Sequence, residues 1–140
     1  MSHLNLIDKA CLLKKTHLFG ELDLDLLLAI SDKMGELTFE ANTPIFHLNQ
    51  MASRMYVIVS GAVVIQDEHK KALAHLSEGD FFGDEALFNE KSRTYEALSQ
   101  ESTLVLTLSR TNLLTIMSEC PSVAIALLRL YAAPLLFRAR

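Results

Sequence analysis

Hydrophobic positions in the first 36 residues recur about every three to four places, as they do on one face of an α-helix. This pattern covers residues 5–17, and Phe19-Gly20 interrupts it. Asp23 is a favoured N-cap for a second helix, because its carboxylate accepts hydrogen bonds from free backbone N–H groups. Gly35 is the expected stop of that helix. The predicted buried stripe of the second helix is Leu26, Leu27, Ile30 and Met34.

The period shortens to two in the middle of the chain, which is typical of β-strands. Residues 55–59, MYVIV, are apolar on both faces and predict a strand inside a closed sheet or sandwich. Ser60-Gly61 predicts a turn, with residues 62–66 as the hairpin partner of this strand. Residues 103–109, TLVLTLS, alternate between Leu and other side chains and predict a further strand.

Helical signals return towards the C-terminus. Ser109 is expected to cap one helix, and Pro121 is expected to open the last one, where its missing N–H costs nothing. The predicted apolar side of the first of these helices is Leu113, Leu114 and Met117.

The order of these elements predicts an α+β fold, a small antiparallel β-roll (a jelly-roll-like barrel) flanked by N-terminal and C-terminal helices. A single domain is expected over residues 1–140, with helices in 1–36, the roll in 37–108 and C-terminal helices in 109–137.

The last helix is apolar nearly all round, and a helix of this kind is expected to be buried. Pro134 should kink or end it. From the sequence the helix can complete the core, act as a lid, or pair with another subunit. Its main apolar stripe is Ala124, Leu127, Leu128, Tyr131 and Leu135, and Ile125, Leu130, Leu136 and Phe137 cover much of the rest.

Composition narrows the classes of protein to consider. The 140 residues are 50% hydrophobic and 21% charged, which is enough to bury a core without metal or disulfide staples. The net charge of -4 argues against a general nucleic-acid binder. Cys11 and Cys120 lie far apart, which favours a reduced, cytoplasmic setting. The apolar C-terminal segment is short and contains Arg129, so no direct membrane insertion is expected.

Asn42 and Asn49 stand seven positions apart, each between short apolar segments. Asparagine tolerates the left-handed backbone conformation that tight turns require, so both are predicted to lie in turns of the roll. Pro44 fits the start or the edge of a strand.

The segment NTPIFHLNQMASRMYVIVSG, residues 42–61, is similar to the β-roll pattern of the cyclic nucleotide-binding domain. Asn42 and Asn49 stand where that family has two glycines, and Gly61 is retained. Members of the family include regulatory subunits of cAMP-dependent kinase, cyclic-nucleotide-gated channels and bacterial catabolite activators. The resemblance covers roughly residues 18–137.

The segment FGDEAL, followed by Arg93-Thr94, resembles the phosphate-binding cassette of the same family, here residues 82–94. The resemblance implies cAMP or cGMP as the ligand, with no cofactor required. It places Asp84 at the ribose and Arg93 at the phosphate, and Thr94 where cGMP-responsive members often have threonine. Free backbone N–H groups and an arginine fork both suit a cyclic phosphate. The predicted ligand-binding residues are Phe82, Gly83, Asp84, Glu85, Ala86, Leu87, Arg93 and Thr94.

Several cassette positions depart from the family pattern. Asp84 replaces the usual glutamate, and Glu85 stands where an apolar residue is usual, although a shifted register would make Glu85 the ribose ligand. An alternative therefore stays open: a degenerate roll that binds no nucleotide and serves protein interaction or dimerisation. The two hypotheses differ in whether Arg93 is sequestered by Asp84 or Glu85, or is free for a phosphate. The other departures are Ser92, Tyr95 and Glu96.

An enzymatic interpretation has little support. A cupin-like metal site built from His47, His69 and His75 lacks the close HxH pair that such sites need, and no catalytic grouping or phosphate-binding GKS/T loop is present. The expected partners are a cyclic nucleotide and either a protein or a second copy, bound through the apolar C-terminal helix. The domain acts through those contacts, or it is the regulatory part of a larger protein.

Overall fold

The computed structural model describes residues 4–16, 18–89 and 92–133. They fall into two compact units, Lys33–Arg110 and a helical unit of Leu4–Asp32 with the residues from Thr111 onwards. The helices are α1 Leu6–Lys14, α2 Leu24–Asp32, α3 Glu85–Asn89, α4 Arg110–Glu119 and α5 Pro121–Ala132. The strands are β1 Gly35–Phe39, β2 Pro44–Phe46, β3 Arg54–Ser60, β4 Val63–Gln66, β5 Ala72–Leu76, β6 Phe81–Phe82, β7 Glu96–Ser99 and β8 Thr103–Ser109.

The unit Lys33–Arg110 is a β-roll of two antiparallel sheets with four strands each in the described residues. One sheet has the order β1-β8-β3-β6 and the other β2-β7-β4-β5. Its core includes Ile45, Phe46, Tyr56, Ile58, Val63, Phe82, Ala97 and Val105. The predicted fold class, a small antiparallel β-roll with helices before and after it in the chain, is confirmed.

Strand β3 is the predicted strand that is apolar on both faces, and its residues Met55–Ile58 are all buried. It pairs with β8, where Val57 lies opposite Leu106, and with β6. The predicted hairpin between β3 and β4 is wrong, because β4 pairs with β5 and β7 in the other sheet. The turn at Gly61 has a φ of 106° and carries the chain across from one sheet to the other.

The two asparagine turns are confirmed. Asn42 has a φ of 61° and Asn49 a φ of 69°, both in the left-handed region. Pro44 begins β2, which is an edge strand of its sheet, as predicted from its missing N–H.

In the helical unit, the cap predicted at Asp23 is confirmed, since its Oδ1 accepts a hydrogen bond of 3.1 Å from the Leu26 N–H. Leu27 and Ile30 are buried, whereas Leu26 is partly exposed. The stop predicted at Gly35 is wrong: α2 ends at Asp32, and Gly35 begins β1. Met34 lies beyond the helix, although it is buried.

Helix α4 begins directly after Ser109, and its buried residues are Leu113 and Ile116. Leu114, which the sequence placed on the buried side, is partly exposed. Pro121 opens α5 as predicted.

Within the single chain, helix α5 is buried on only one side over the part that the structure describes. Val123 and Leu127 are buried, while Leu128 is 65% exposed. The predicted residues Pro134, Leu135, Leu136 and Phe137 lie outside the described residues. Among the helices of the described chain, none is by itself long and apolar enough to cross a membrane. Helices α4 and α5 reach the necessary length and apolar composition only when they are taken together, and they are bent by 110° at the break between them.

Candidate functional site

The candidate cassette begins at a sharp backbone turn. Phe82 ends β6, where it pairs with Tyr56 of β3, and Gly83 follows with a φ of 81°. A Cβ atom at Gly83 would lie 3.1 Å from the Arg93 Nη1 atom and 3.3 Å from a ring carbon of Tyr56. Glycine is therefore required here both for its conformation and for the close approach of the arginine. Helix α3 starts two residues later, at Glu85.

Arg93 lies inside the roll and is only 3% exposed. Its Nη1 donates a hydrogen bond to the Gly83 carbonyl oxygen, and its Nη2 donates one of 2.5 Å to the carbonyl oxygen of Arg54. The guanidinium carbon lies 4.2 Å from the centroid of the Phe46 ring, a cation–π contact. A charged group is thus buried with backbone acceptors and an aromatic face around it.

The turn at Asn49 fixes the backbone of Arg93. The Asn49 N–H donates to the Arg93 carbonyl oxygen at 2.8 Å, and the Arg93 N–H donates to the Gln50 carbonyl oxygen at 2.7 Å. The two sequence motifs therefore meet in space, because a turn of the roll pattern holds the arginine of the cassette.

Four aromatic rings surround this region. The centroid of Phe46 lies 5.9 Å from that of Tyr56, 6.1 Å from that of Phe82 and 5.5 Å from that of Tyr95. Tyr56 and Phe82 are stacked with centroids 5.1 Å apart. These rings form the aromatic cluster of the roll, defined as Phe46, Tyr56, Phe82 and Tyr95.

The hydroxyl of Tyr95 accepts a hydrogen bond of 3.0 Å from the Gly83 N–H. The Glu85 carboxylate acts on this phenol through its negative charge. Burial raises the pKa of Tyr95 far above its ordinary value, and the negative charge of Glu85 raises that pKa further. Both polar backbone groups of Gly83 therefore have side-chain partners, its carbonyl in Arg93 and its N–H in Tyr95.

Two opposing effects act on the pKa of Arg93. Burial lowers the pKa of its guanidinium, while the nearby tyrosine oxygens, Glu85 and Asp84 raise it. Asp84 is itself buried. The guanidinium of an arginine stays protonated at neutral pH, so the cation persists. Its hydrogen bonds go to the backbone carbonyl oxygens of Gly83 and Arg54, an arrangement different from both alternatives that the sequence offered, sequestration by Asp84 or Glu85 and a guanidinium free for a phosphate.

The remaining predicted site residues are placed differently. Ala86 and Leu87 are buried in α3, and the Leu87 carbonyl oxygen accepts a hydrogen bond of 2.7 Å from Arg110 Nε. Thr94 is exposed. The structure thus brings Phe82, Gly83, Asp84, Glu85 and Arg93 close together, and their ligand-binding roles stay predictions.

Sequence reasoning missed three partners of the cassette. Phe46 lies under the Arg93 guanidinium, Arg54 supplies a carbonyl acceptor, and Tyr95 caps the Gly83 N–H. Two of them carried a sequence signal: Phe46 belongs to the IF pair of the roll motif, and Tyr95 is a departure from the small residue usual there.

A metal site has no support in the described part of the chain. In residues 4–16, 18–89 and 92–133, no group of three or more His, Cys, Asp or Glu side chains is placed to hold a metal ion. His47, His69 and His75 are exposed.

The structure is thus a two-sheet β-roll in which a glycine turn and the short helix α3 lie beside a buried arginine. The profile of the cyclic nucleotide-binding domain matches residues 36–120, and the chain belongs to this family.

Relatives of known sequence agree with this assignment. The chain is 32% identical over 85 residues to the cyclic AMP receptor protein of Thermus thermophilus, a match that covers 58% of this chain and 39% of the relative. It is 29% identical over 104 residues to the cGMP-dependent protein kinase egl-4 of Caenorhabditis briggsae, covering 70% of this chain and 14% of the kinase. The chain therefore spans well under two thirds of the length of these relatives.

Solved structures match the fold as well. The catabolite activator protein of Thermus thermophilus has a TM-score of 0.80 and 26% identity, covering 89% of this chain and 60% of that one. The sensor domain of the transcriptional regulator DNR from Pseudomonas aeruginosa has a TM-score of 0.84 and 20% identity, covering 96% of this chain and 93% of that one. Similarity to the second structure concerns the fold alone.

Proposed function

We propose that this domain is a cytoplasmic, non-enzymatic regulatory module that binds a cyclic nucleotide, cAMP or cGMP, at the cassette of residues 82–94. The observation that carries the proposal is the buried cation: Arg93 lies inside the roll beside Gly83 and Asp84. Burying a charge is costly, so a buried arginine in a ligand-binding fold is a candidate for anion binding. A receptor named for cyclic AMP and a kinase named for cGMP among the relatives support the ligand class and leave the base open.

The proposed contacts follow from the donors and acceptors present. Among the described residues, Arg93 engages two of its five N–H groups, so others remain for a phosphate oxygen. The Asp84 carboxylate suits a ribose hydroxyl, which donates a hydrogen bond to it. Thr94 is exposed next to Arg93 in the chain and offers its hydroxyl. Signalling through the terminal helices requires that the ligand bind one conformation more tightly than another.

The experiment is a thermal unfolding series with an excess of cAMP, cGMP or 5′-AMP. A ligand at about a hundred times its dissociation constant adds roughly 2.7 kcal/mol of stability, which raises Tm by several degrees in a domain of this size. The expected result is a shift with a cyclic nucleotide and none with 5′-AMP. Arg93→Lys keeps the charge but loses the fork, so the shift should shrink, whereas Arg129→Lys on α5 should keep it.

A second candidate function is a ligand-independent interaction module. The observation that favours it is that Arg93 and Tyr95 already occupy both backbone groups of Gly83. No shift with any nucleotide, in protein shown to be folded, would reject the first function and leave this one. The partner would then be sought at the exposed apolar residues of α5, namely Ile125, Leu128 and Leu130.

A further inference from the structure

Tyr95 places a hydroxyl group on the cassette at a position where a small residue would leave space. Its oxygen accepts the Gly83 N–H at 3.0 Å, and Gly83 is the turn residue between β6 and α3. Backbone N–H groups of this kind are the donors that oxygen atoms of a nucleotide need. The chain therefore supplies one cassette donor with an acceptor of its own.

Two further features act on the phenol, a nearby charge and a ring contact. The negative charge of Glu85, the first residue of α3, disfavours ionisation of the Tyr95 phenol, so the hydroxyl keeps its proton. The Tyr95 ring packs against Phe46 with centroids 5.5 Å apart and ring planes tilted by 54°. The hydroxyl thus accepts from a cassette residue while the ring is packed in the roll.

We propose that Tyr95 is an internal competitor of the ligand: its hydroxyl occupies the Gly83 N–H, and a nucleotide binds only after this hydroxyl withdraws. This competition presupposes the proposed function, and it makes Tyr95 the residue that lowers the affinity of the domain for the nucleotide. A ligand that requires a minor conformation binds with its intrinsic affinity reduced by the fraction of molecules in that conformation. Tyr95 therefore weakens binding without touching the selectivity that Arg93 provides.

A variant that lacks only the Tyr95 hydroxyl tests this competition. Tyr95→Phe keeps the ring against Phe46 and frees the Gly83 N–H, so the nucleotide gains an unoccupied donor. Because a neutral hydrogen bond is worth about 1 kcal/mol net, the dissociation constant for the better-bound of cAMP and cGMP should fall by about two- to tenfold, measured by isothermal titration calorimetry. A tyrosine with a merely structural role would show the opposite sign, because its loss would loosen the site.

The matched control is Tyr56→Phe. Tyr56 belongs to the same aromatic cluster, but its hydroxyl accepts from Arg54 Nε at 3.3 Å and makes no hydrogen bond to Gly83. It should show no comparable gain. Glu85→Gln is a second control that removes a nearby charge and leaves the ring and the hydroxyl untouched, and a gain caused by the lost charge should vanish at high salt, where charge repulsion is screened.

The outcomes separate the two proposals. Nucleotide binding by the wild type with an equal or weaker affinity in Tyr95→Phe overturns the competition and leaves the proposed function standing. Binding by Tyr95→Phe alone supports both. No binding by any variant, each with the circular dichroism spectrum of the folded domain, overturns both.

Discussion

The guanidinium carbon of Arg93 lies 4.2 Å from the centre of the Phe46 ring, so the proposed phosphate ligand is also part of the interior of the roll. From sequence, Arg93→Ala should abolish ligand binding and leave the fold intact. The structure indicates that this substitution also destabilises the fold. Loss of the side chain removes the donors to the carbonyls of Gly83 and Arg54 and leaves space over the ring.

We therefore expect Arg93→Ala to lower the free energy of unfolding by about 2–4 kcal/mol, since each unsatisfied buried polar group costs about 1–3 kcal/mol. Urea unfolding without any ligand measures this loss. Arg93→Lys, which keeps a cation near Phe46, should lose less. A stability of Arg93→Ala equal to that of the wild type would show that the contacts around Arg93 contribute nothing to the fold.

Gly83 offers a second test of how tightly the cassette is packed. Gly83→Ala introduces a Cβ 3.1 Å from Arg93 Nη1 at a φ of 81°. Gly79 is a matched control, with a φ of 88° and nothing within 4 Å of the added atom. Both alanine variants carry the same kind of backbone strain, of about 1–2 kcal/mol, and only Gly83→Ala adds crowding.

The expected result is that Gly83→Ala lowers the unfolding free energy by about 1–3 kcal/mol more than Gly79→Ala does. Thermal or urea unfolding of the two variants in parallel gives the difference directly. Equal losses would mean that Arg93 moves aside at no cost. The close approach of Arg93 to Gly83 would then not affect the free energy of unfolding.

Stability at high pH reports on Tyr95. The unfolded chain releases this phenolic proton near the ordinary tyrosine value of 10.0, whereas the folded domain keeps it to a higher pH. Above about pH 10 the unfolded state thus binds fewer protons than the folded one, so stability falls as pH rises. In Tyr95→Phe this contribution is gone, and its unfolding free energy should fall less steeply between about pH 9.5 and 11. Parallel curves for the two proteins would contradict the raised pKa of Tyr95.

The sequence predicted those features that depend on one residue's own backbone preference. Asn42 and Asn49 adopt positive φ, and Pro44 begins an edge strand, because these properties belong to the residue type. The pairing of β4 was missed because neighbouring strands in sequence can lie in different sheets, and the turn at Gly61 permits both arrangements.

In the cassette, too, some features depend on the local sequence and others on the fold. Its Gly–Asp–Glu order and the following arginine could be read along the chain, whereas the contacts that occupy them come from distant positions. Asn49 binds the backbone of Arg93, and Phe46 lies under its guanidinium, across more than 40 residues of sequence. The role of Tyr95 depends on the fold that brings its hydroxyl to Gly83, so the sequence identified it only as a departure.

Neighbouring leucines on α5 test how this helix is used. The sequence predicted burial for both, but Leu127 is 1% exposed and Leu128 is 65% exposed. Leu127→Ala should therefore lower the unfolding free energy by about 2–5 kcal/mol, the usual loss for a truncated core leucine. Leu128→Glu should change it by no more than about 0.5 kcal/mol in the monomer.

The mass of the Leu128→Glu variant then decides whether the exposed side of α5 is an interface between copies. If the wild type sediments as a dimer held by this side, the glutamate places a charge in an apolar contact, and the variant should sediment as a monomer with an unchanged circular dichroism spectrum. Leu127→Ala controls for a general loss of stability, because it weakens the fold without changing the exposed side. A dimer that persists in Leu128→Glu would exclude this part of α5 as the dimer interface, and a large loss of monomer stability would contradict the exposure of Leu128.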